Sequence, residues 1–372
     1  MTRTSIDMES LREMLERGEP VTVLDVRPED QRAEWRIPGS IHFDAYGALK
    51  AKDPHALEGA DLPERLPVVT VCSAGNSSAV AAEQLRDRGF EAYTLEGGMK
   101  PWSMAWNTAE VSVAGTDARV IQVRRTGKGC LSYLIGAGKE AAVIDASLDP
   151  EVYVSLADSR GWKVTQVHDT HVHADHLSCS RKLADHTEAP LHLPNDAPVS
   201  YLYMAIENGK ATEIGRVQLE AIRTPGHTSE STTYLLDGRA LFTGDTLFLV
   251  SVGRPDLEAT TEGARVQAHS LHASLRRLLK LAPGTPGTLV LPGHISDPVP
   301  FDGEPVVVSL SEVRDKVPLL CEDEETFVEK VARRGLPPPE NYERIVELNR
   351  AEELPEGDPA ELEAGANRCA VG

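Results

Sequence analysis

The run THVHADH, Thr170 to His176, sets three histidines and an aspartate into seven residues. Such a density of imidazole and carboxylate donors is metal-ligand chemistry, but donor type alone leaves the ion open, because neutral imidazole suits zinc, copper and iron alike. The run follows a strand-like segment, KVTQVH (163–168), and three further segments end on the same kinds of residue. LEAIRTPGHT delivers His227, ALFTGDT delivers Asp245 and LVLPGH delivers His294. Strand ends gathered at one edge of a sandwich bring donors distant in sequence to one point. A lone histidine has a bland structural explanation. A series of donors at successive strand ends does not share one.

Outward from this cluster, strands and helices alternate to about residue 297. VSVAGTDARVIQVRR, CLSYLIG and AAVIDAS read as strands in hairpin-like succession, separated by glycine-rich turns. VQLEAIRT, STTYLLDG and ALFTGD continue the strand pattern, and ARVQAHSLHASLRRLLKL is a helix by its apolar spacing. That order predicts sheets inside and helices outside. Upstream, VTVLDV (21–26) and VVTVC (68–72) are continuous β-branched runs, as expected for strands buried on both faces of a parallel sheet. SAVAAEQLRDRG (78–89) is helical with a glycine stop, and FEAYTLEGG (90–98) returns to a strand. The chain is therefore expected to divide into a small α/β domain over 1–108, a sandwich over 118–320 and a helical extension over 321–372, broken by GLPPPE (335–340). The opening MTRTSIDMESLREML reads as a charged helix and residues 351–372 as a loose acidic tail.

Composition narrows the function classes. With 372 residues, 41% of them hydrophobic, the chain exceeds one ordinary core. Its net charge of −20 argues against nucleic acid or an anionic membrane as partner, since both require a basic footprint. The five cysteines are odd in number and form no CxxC pair, which speaks against a disulfide framework and for a reducing compartment. Without a signal-peptide pattern or an apolar run of membrane length, the expected location is cytoplasmic. Oligomeric state is left open.

VTVCSAGNSSAV places Cys72 at a strand end, ahead of the small-residue loop Ser73, Ala74, Gly75, Asn76 and Ser77 and then a helix. Such a loop turns backbone N–H groups toward one point with a helix N-terminus behind it, and an anion nest of that kind favours a thiolate. A phosphatase built on it would need an arginine to close on phosphate, but the sixth residue after Cys72 is Ser78. Transfer of a sulfane sulfur fits better, with the nest holding the resulting persulfide. The plain alternative is a small buried residue capping a strand.

LDVRPEDQRAEWRIPGSIH (24–42), the Cys72 loop and LEGGMKPWSMAWN (95–107) together resemble a rhodanese. Rhodanese loops often carry arginines directly after the cysteine and near the loop's end, where this chain has Ser73 and Ser77. Fewer cations weaken binding of a dianion such as thiosulfate, so a bulky organic persulfide or a sulfur-carrier protein is the expected partner. Residues 118–297 resemble the metallo-β-lactamase superfamily through HVHADH, PGH, the GD of FTGDT and a second PGH. The two resemblances imply an α/β chain with an N-terminal rhodanese-like parallel-sheet domain followed by a metallo-β-lactamase αββα sandwich.

That second resemblance implies two ligand schemes. In binuclear hydrolases of the superfamily one zinc takes the residues matching His171, His173 and His227. The other takes those matching Asp175, His176 and His294, with Asp245 bridging, and every position is filled here. In its persulfide dioxygenases a single Fe(II) takes the trio matching His171, His227 and Asp245, and the remaining donors surround it. DTLFLVSVGRPDL (245–257) is similar to the dioxygenase branch, where Arg254 would contact an anionic substrate or brace the pocket. A fused rhodanese handles the same sulfane sulfur. The expected function is oxidation of a low-molecular-weight thiol persulfide, such as glutathione persulfide, to sulfite with O₂ at one Fe(II) per chain, coupled to sulfur transfer at Cys72. The alternatives are a binuclear zinc thioester hydrolase with a regulatory rhodanese, and a sulfur carrier or sensor with a vestigial metal domain.

Other candidates carry less. Cys179 in LSCSRKL is either a thiol near the metal or a small residue starting a helix, and Cys130 in GKGCLSYLIG reads as core. Cys321 and Cys369 have no supporting context, and a helix face accounts for His269 and His272.

Overall fold

The computed structural model describes residues 4–257, 261–281, 287–333, 337–339, 341–354 and 357–371. GLPPPE lies partly outside these residues, as does the start of MTRTSIDMESLREML. The first sheet has five parallel strands in the order Ser5–Ile6, Ala92–Leu95, Val68–Val71, Thr22–Asp25, Ile41–His42. Its middle strands are buried on both faces because each face meets a helical layer. Leu11 and Trp102 pack with Val23, Val69 and Val71 on one side. On the other, Leu49, Ala81 and Leu85 pack with Leu24 and Val68. The charged helix starts later than the sequence reading placed it. Ser5–Ile6 is an edge strand, and Asp7 caps the helix Met8–Glu16 by accepting the Ser10 N–H at 2.7 Å.

Two further sheets face each other. The seven-stranded one runs Met204–Ile206, Leu191–Pro194, Lys163–His168, Glu140–Ile144, Cys130–Ala137, Arg119–Arg125, Asn107–Val111. The six-stranded one runs Ala211–Ile214, Val217–Arg223, Thr232–Leu236, Ala240–Gly244, Leu289–Pro292, Val308–Ser309. Alternation along each strand sorts the side chains. Val120, Tyr133 and Ile135 face inward onto Leu219, Tyr234, Leu236 and Phe242, with Tyr133 and Phe242 edge to face at 4.9 Å. Ile121, Val123 and Leu134 face outward onto Tyr153 and Leu183 of the helices Pro150–Asp158 and Ser180–Thr187. Leu241 and Val290 meet Leu271, Leu275 and Leu278 of the helix Thr261–Leu281, and Phe327 of Glu324–Val331. The result is an αββα sandwich behind a parallel-sheet domain, with the donor-bearing strand ends at one edge. No helix among the described residues is long and apolar enough to cross a membrane.

The acidic C-terminus is not a loose tail. After the helix Tyr342–Arg350, a short helix Ala360–Glu363 and the strand Ala370–Val371 lie on the body, the strand pairing antiparallel with Val252–Gly253. Glu363 is fully buried, with Oε2 at 2.6 Å from Nη1 of the equally buried Arg125. Arg125 also donates through Nε to the Ser103 carbonyl at 2.8 Å, so one guanidinium ties the C-terminus to the end of the first domain. The domains are in intimate contact there. A Cβ on Gly127 would stand 1.8 Å from the Trp102 carbonyl oxygen, so only glycine fits. Trp35 of the first domain packs into the sandwich core beside Ile295.

Breaking a buried ion pair from one side leaves an uncompensated charge. Glu363→Gln is therefore expected to cost about 3–5 kcal/mol in denaturant unfolding. Glu361→Gln, whose pair with Lys100 is exposed, should cost less than ~1 kcal/mol. Equal small losses would show that the buried pair does not hold the C-terminus.

Candidate metal centre and cysteine loop

Three strand ends deliver a trio. His171 follows Lys163–His168, His227 follows Val217–Arg223 and Asp245 follows Ala240–Gly244, and all three are buried. Their donor atoms lie within 4.8 Å of one another. Asp245 Oδ2 is 3.8 Å from His171 Nε2 and 3.6 Å from His227 Nε2. Each ring is fixed from behind. Thr170 Oγ1 donates to Asp145 Oδ2 at 2.9 Å and so accepts from His171 Nδ1 at 2.8 Å. His227 Nδ1 donates to the Arg254 carbonyl at 2.9 Å. Both bonds leave the Nε2 lone pairs for the site.

The trio fits a cation. His171 Nε2 and Asp245 Oδ2 are buried without a hydrogen-bond partner, and two facing acceptors so placed are costly unless a positive ion lies between them. Burial, reinforced by His173, pushes His171 well below the usual histidine range, so the ring is neutral. Burial opposes ionisation of Asp245, but His294 and the neighbouring rings outweigh it and hold the carboxyl below its usual range. Neutral imidazole and ionised carboxylate are the forms a metal needs. Two histidines and one carboxylate leave coordination positions open.

Of the remaining four donors, Asp175, His176 and His294 are tied to one another. His294 bonds Asp245 Oδ1 through Nδ1 at 2.6 Å and Asp175 Oδ2 through Nε2 at 2.9 Å. Burial disfavours its charge, yet the two carboxylates hold it well above the usual histidine range, as an imidazolium. His176 Nδ1 is 3.1 Å from Asp175 Oδ1. His173 packs its ring 4.4 Å from that of His171, with its Nε2 3.3 Å from Asp145 Oδ1 and 4.0 Å from Asp169 Oδ1. Cys130, Asp175, His176 and His294 form a second group of buried donor atoms within 4.8 Å of one another.

The cysteine loop has a different construction. Cys72 follows Val68–Val71, Gly75 takes φ +85°, and the helix Asn76–Asp87 begins directly after it. The Cys72 Sγ receives the Ser78 N–H at 3.4 Å and lies 3.3 Å from Ser78 Oγ, which is itself 2.9 Å from Thr94 Oγ1. Ser73 Oγ donates to Gln31 Oε1 at 2.7 Å. The loop closes against Gly98, where φ is +66° and a Cβ would stand 2.1 Å from the Cys72 carbonyl oxygen. This is the structural reason for the paired glycines in LEGGMKPW.

Residues 7–105 match the rhodanese-like domain family, and residues 125–294 match the metallo-beta-lactamase superfamily. The chain thus carries a rhodanese-like domain followed by a metallo-beta-lactamase superfamily domain. Hydroxyacylglutathione hydrolase of Rhodopseudomonas palustris is 29% identical over 141 residues, 37% of this chain and 54% of that protein. The chain thus matches about half the length of that relative. Persulfide dioxygenase ETHE1 of Bos taurus is 29% identical over 60% of this chain and 84% of its own length. The crystal structure of ETHE1 from Myxococcus xanthus superposes with a TM-score of 0.54 at 30% identity, covering 62% of this chain and 96% of that one.

Several residues around the histidine loop escaped the sequence reading. Asn349, on the C-terminal helix, donates to the carbonyls of His173 and His176 at 2.8 Å each and accepts the Ser178 N–H at 2.9 Å. Glu230 accepts the Val172 N–H at 3.0 Å, and Glu363 accepts that of Leu177 at 2.8 Å. Cys369, without context in the sequence, is buried with its sulfur within 4.8 Å of donor atoms of Asp245 and His294. Cys130 is core, as expected, but its Sγ also lies 3.4 Å from Asp175 Oδ2 and 3.7 Å from His176 Nδ1. Burial and Asp175 push that thiol up, while His176 and His294 bring it down to about 7. Cys179 is the residue that starts the helix Ser180–Thr187, and burial pushes its thiol up to about 12.

Of the two roles open to Arg254, the contacts are those of a brace. Its guanidinium bonds both oxygens of Asp256, at 2.8 and 3.0 Å, and the carbonyls of Pro337 and Arg368, each at 3.2 Å. His269 and His272 face the helix Glu324–Val331, through Glu324 at 2.7 Å and the Phe327 ring at 5.2 Å.

Residues behind metal donors typically govern affinity by about 10–100-fold. Asn349→Ala removes three bonds from the histidine loop without touching a donor. Its metal affinity, measured by competition with a chelator, is expected to fall within that range. Unchanged affinity would show that the loop holds its shape unaided.

Proposed function

We propose that the chain is a persulfide dioxygenase acting on a low-molecular-weight thiol persulfide, with one Fe(II) held by His171, His227 and Asp245. The observation that carries this reading is the division of the seven donors. Asp245 Oδ2 and His171 Nε2 are buried without a hydrogen-bond partner, with His227 Nε2 beside them. Asp175 and His294, by contrast, bond each other, and His294 also bonds Asp245. His173 and His176 keep partnerless ring nitrogens but lie against Asp145 and Asp175. The likeness to persulfide dioxygenase ETHE1 over most of that protein's length supports it, as does a rhodanese-like domain that handles the same sulfur. The balanced reaction is RSSH + O₂ + H₂O → RSH + SO₃²⁻ + 2H⁺. Bound Fe(II) with three protein donors keeps positions open and supplies the O₂ chemistry. Thr170 and the Arg254 carbonyl aim the two imidazoles. His294 fixes Asp245 through Oδ1 and leaves Oδ2 for the metal. At Cys72, the Sγ bonds the outer sulfur of a persulfide while the RS–S bond breaks, and RSH leaves with the proton. No net oxidation occurs in that step.

Purified protein is expected to contain close to one iron per chain and to consume O₂ when given glutathione persulfide. His171→Ala, His227→Ala and Asp245→Ala should each abolish both properties. The hydroxyacylglutathione hydrolase relatives make the competing outcome specific. Two zincs per chain, thioester hydrolysis and no O₂ uptake would replace this reading by a zinc hydrolase.

The rhodanese step has its own readout. Mass spectrometry after persulfide treatment should find an added sulfur on Cys72, and wild type should yield some thiosulfate beside sulfite. Cys72→Ser should yield sulfite alone. Identical product ratios would mean that Cys72 takes no part in sulfur transfer.

A further inference from the structure

A cavity of about 340 Å³ opens between the two domains, beside the cysteine loop and away from the metal trio. Ser73 and Ala74, directly after Cys72, line one side, and Ala364 to Ala366 with Arg368 line the other. Its apolar surface comes from Trp35 and Met99, and Gly127 contributes bare backbone. The volume lies at the lower end of the ~300–1,000 Å³ range of small-ligand sites, which suits a small molecule rather than a protein segment.

The charges around it come in pairs that cross from one domain to the C-terminal segment. Lys100 meets Glu361 at 2.7 Å, and Arg368 meets Glu34. Glu361 is 65% exposed, and exposed pairs of this kind contribute little to stability, so a ligand carboxylate can take the place of Glu361 or Glu34 on its cation. The displaced glutamate is then free to accept a ligand ammonium. Arg27, also at the wall, is fully engaged with Asp25 and the Trp35 carbonyl. The wall itself carries Glu34 against Lys100 and Arg368, so it bears both signs and suits a zwitterion, with cations to take a carboxylate and an acid to take an ammonium.

We propose that this cavity binds the organic part of the thiol compound that exchanges sulfur with Cys72, and that the compound is a small, peptide-like thiol carrying both carboxylate and ammonium groups. The proposal rests on the sulfur-transfer reading of Cys72 given above. It adds a binding site separate from the metal centre and built by both domains, in which the segment Ala364 to Arg368 supplies the wall that the rhodanese-like domain lacks. Apolar contact with Trp35 and Met99 receives the methylene next to sulfur, so the persulfide end points to the loop.

The test compares two sulfur donors on the full-length chain. Glutathione persulfide carries the proposed groups, whereas inorganic polysulfide offers a sulfane sulfur with no organic part. The rate of Cys72 persulfide formation is read by mass spectrometry in wild type, in Lys100→Gln and in Ala364→Phe, which fills the cavity. Loading from glutathione persulfide is expected to slow by about tenfold in each variant, the scale for losing one charge-assisted or steric determinant. Loading from inorganic polysulfide should stay within about twofold of wild type on the same grounds. Equal slowing with both donors, or no slowing with glutathione persulfide, overturns the proposal. A wild-type Cys72 that accepts sulfur from neither donor sinks instead the transfer reading on which it rests.

Discussion

The histidine loop between Thr170 and Ser178 has little regular secondary structure to hold it, and its buried backbone groups are satisfied by side chains from elsewhere. Asp145 accepts the Thr170 N–H, Glu230 that of Val172, Glu363 that of Leu177 and Asn349 that of Ser178. A buried, unsatisfied amide costs about 1–3 kcal/mol, so these acceptors decide whether the loop keeps one shape. Two of the four come from beyond residue 340. The candidate metal centre therefore depends on a part of the chain that contributes no imidazole to it.

The same dependence joins the two domains. Glu363 meets the loop through Oε1 and Arg125 through Oε2, and Arg125 reaches the end of the rhodanese-like domain at Ser103. The C-terminal segment then runs past the cysteine loop, with Arg368 at Glu34, and ends with Cys369 against Asp245 and His294. One stretch of about ten residues touches the surroundings of both sites. Such a path is a physical connection and not by itself evidence of coupling, which requires that the segment have two arrangements biased by both sites.

The strands, the sandwich and the donor set were legible because each rests on a local pattern. β-Branched runs marked Val68–Val71, and histidines at strand ends marked the edge. The C-terminus was not legible, for a reason specific to its residues. Glu363 and Asn349 act singly, through one carboxylate and one amide, and a single polar residue in an acidic stretch looks like solvated surface. Nothing local distinguishes Glu363, which is buried, from Glu361, which is exposed. The partner Arg125 lies more than two hundred residues upstream, in a strand whose pattern reads as ordinary. Cys369 was hidden in the same way, since its neighbours are supplied entirely by distant strands. The Asp7 cap, by contrast, was overlooked although its signal is local: an aspartate three residues before Ser10 at the head of a helix.

Why the trio separates from the other donors follows from Asp245. Its two oxygens serve different groups: Oδ1 accepts from His294, and Oδ2 faces the two Nε2 atoms. His294 is held on its far side by Asp175, so the sequence Asp175, His294, Asp245 is a buried alternation of charge, with a cation between two anions. Removing either carboxylate would leave that cation poorly compensated, and removing His294 would place two carboxylates in a site with less positive charge to offset them. His294, with Asp175 behind it, thus becomes the counter-charge that keeps Asp245 ionised and oriented. That pair sets the direction in which Asp245 offers its free oxygen, Oδ2, toward His171 and His227.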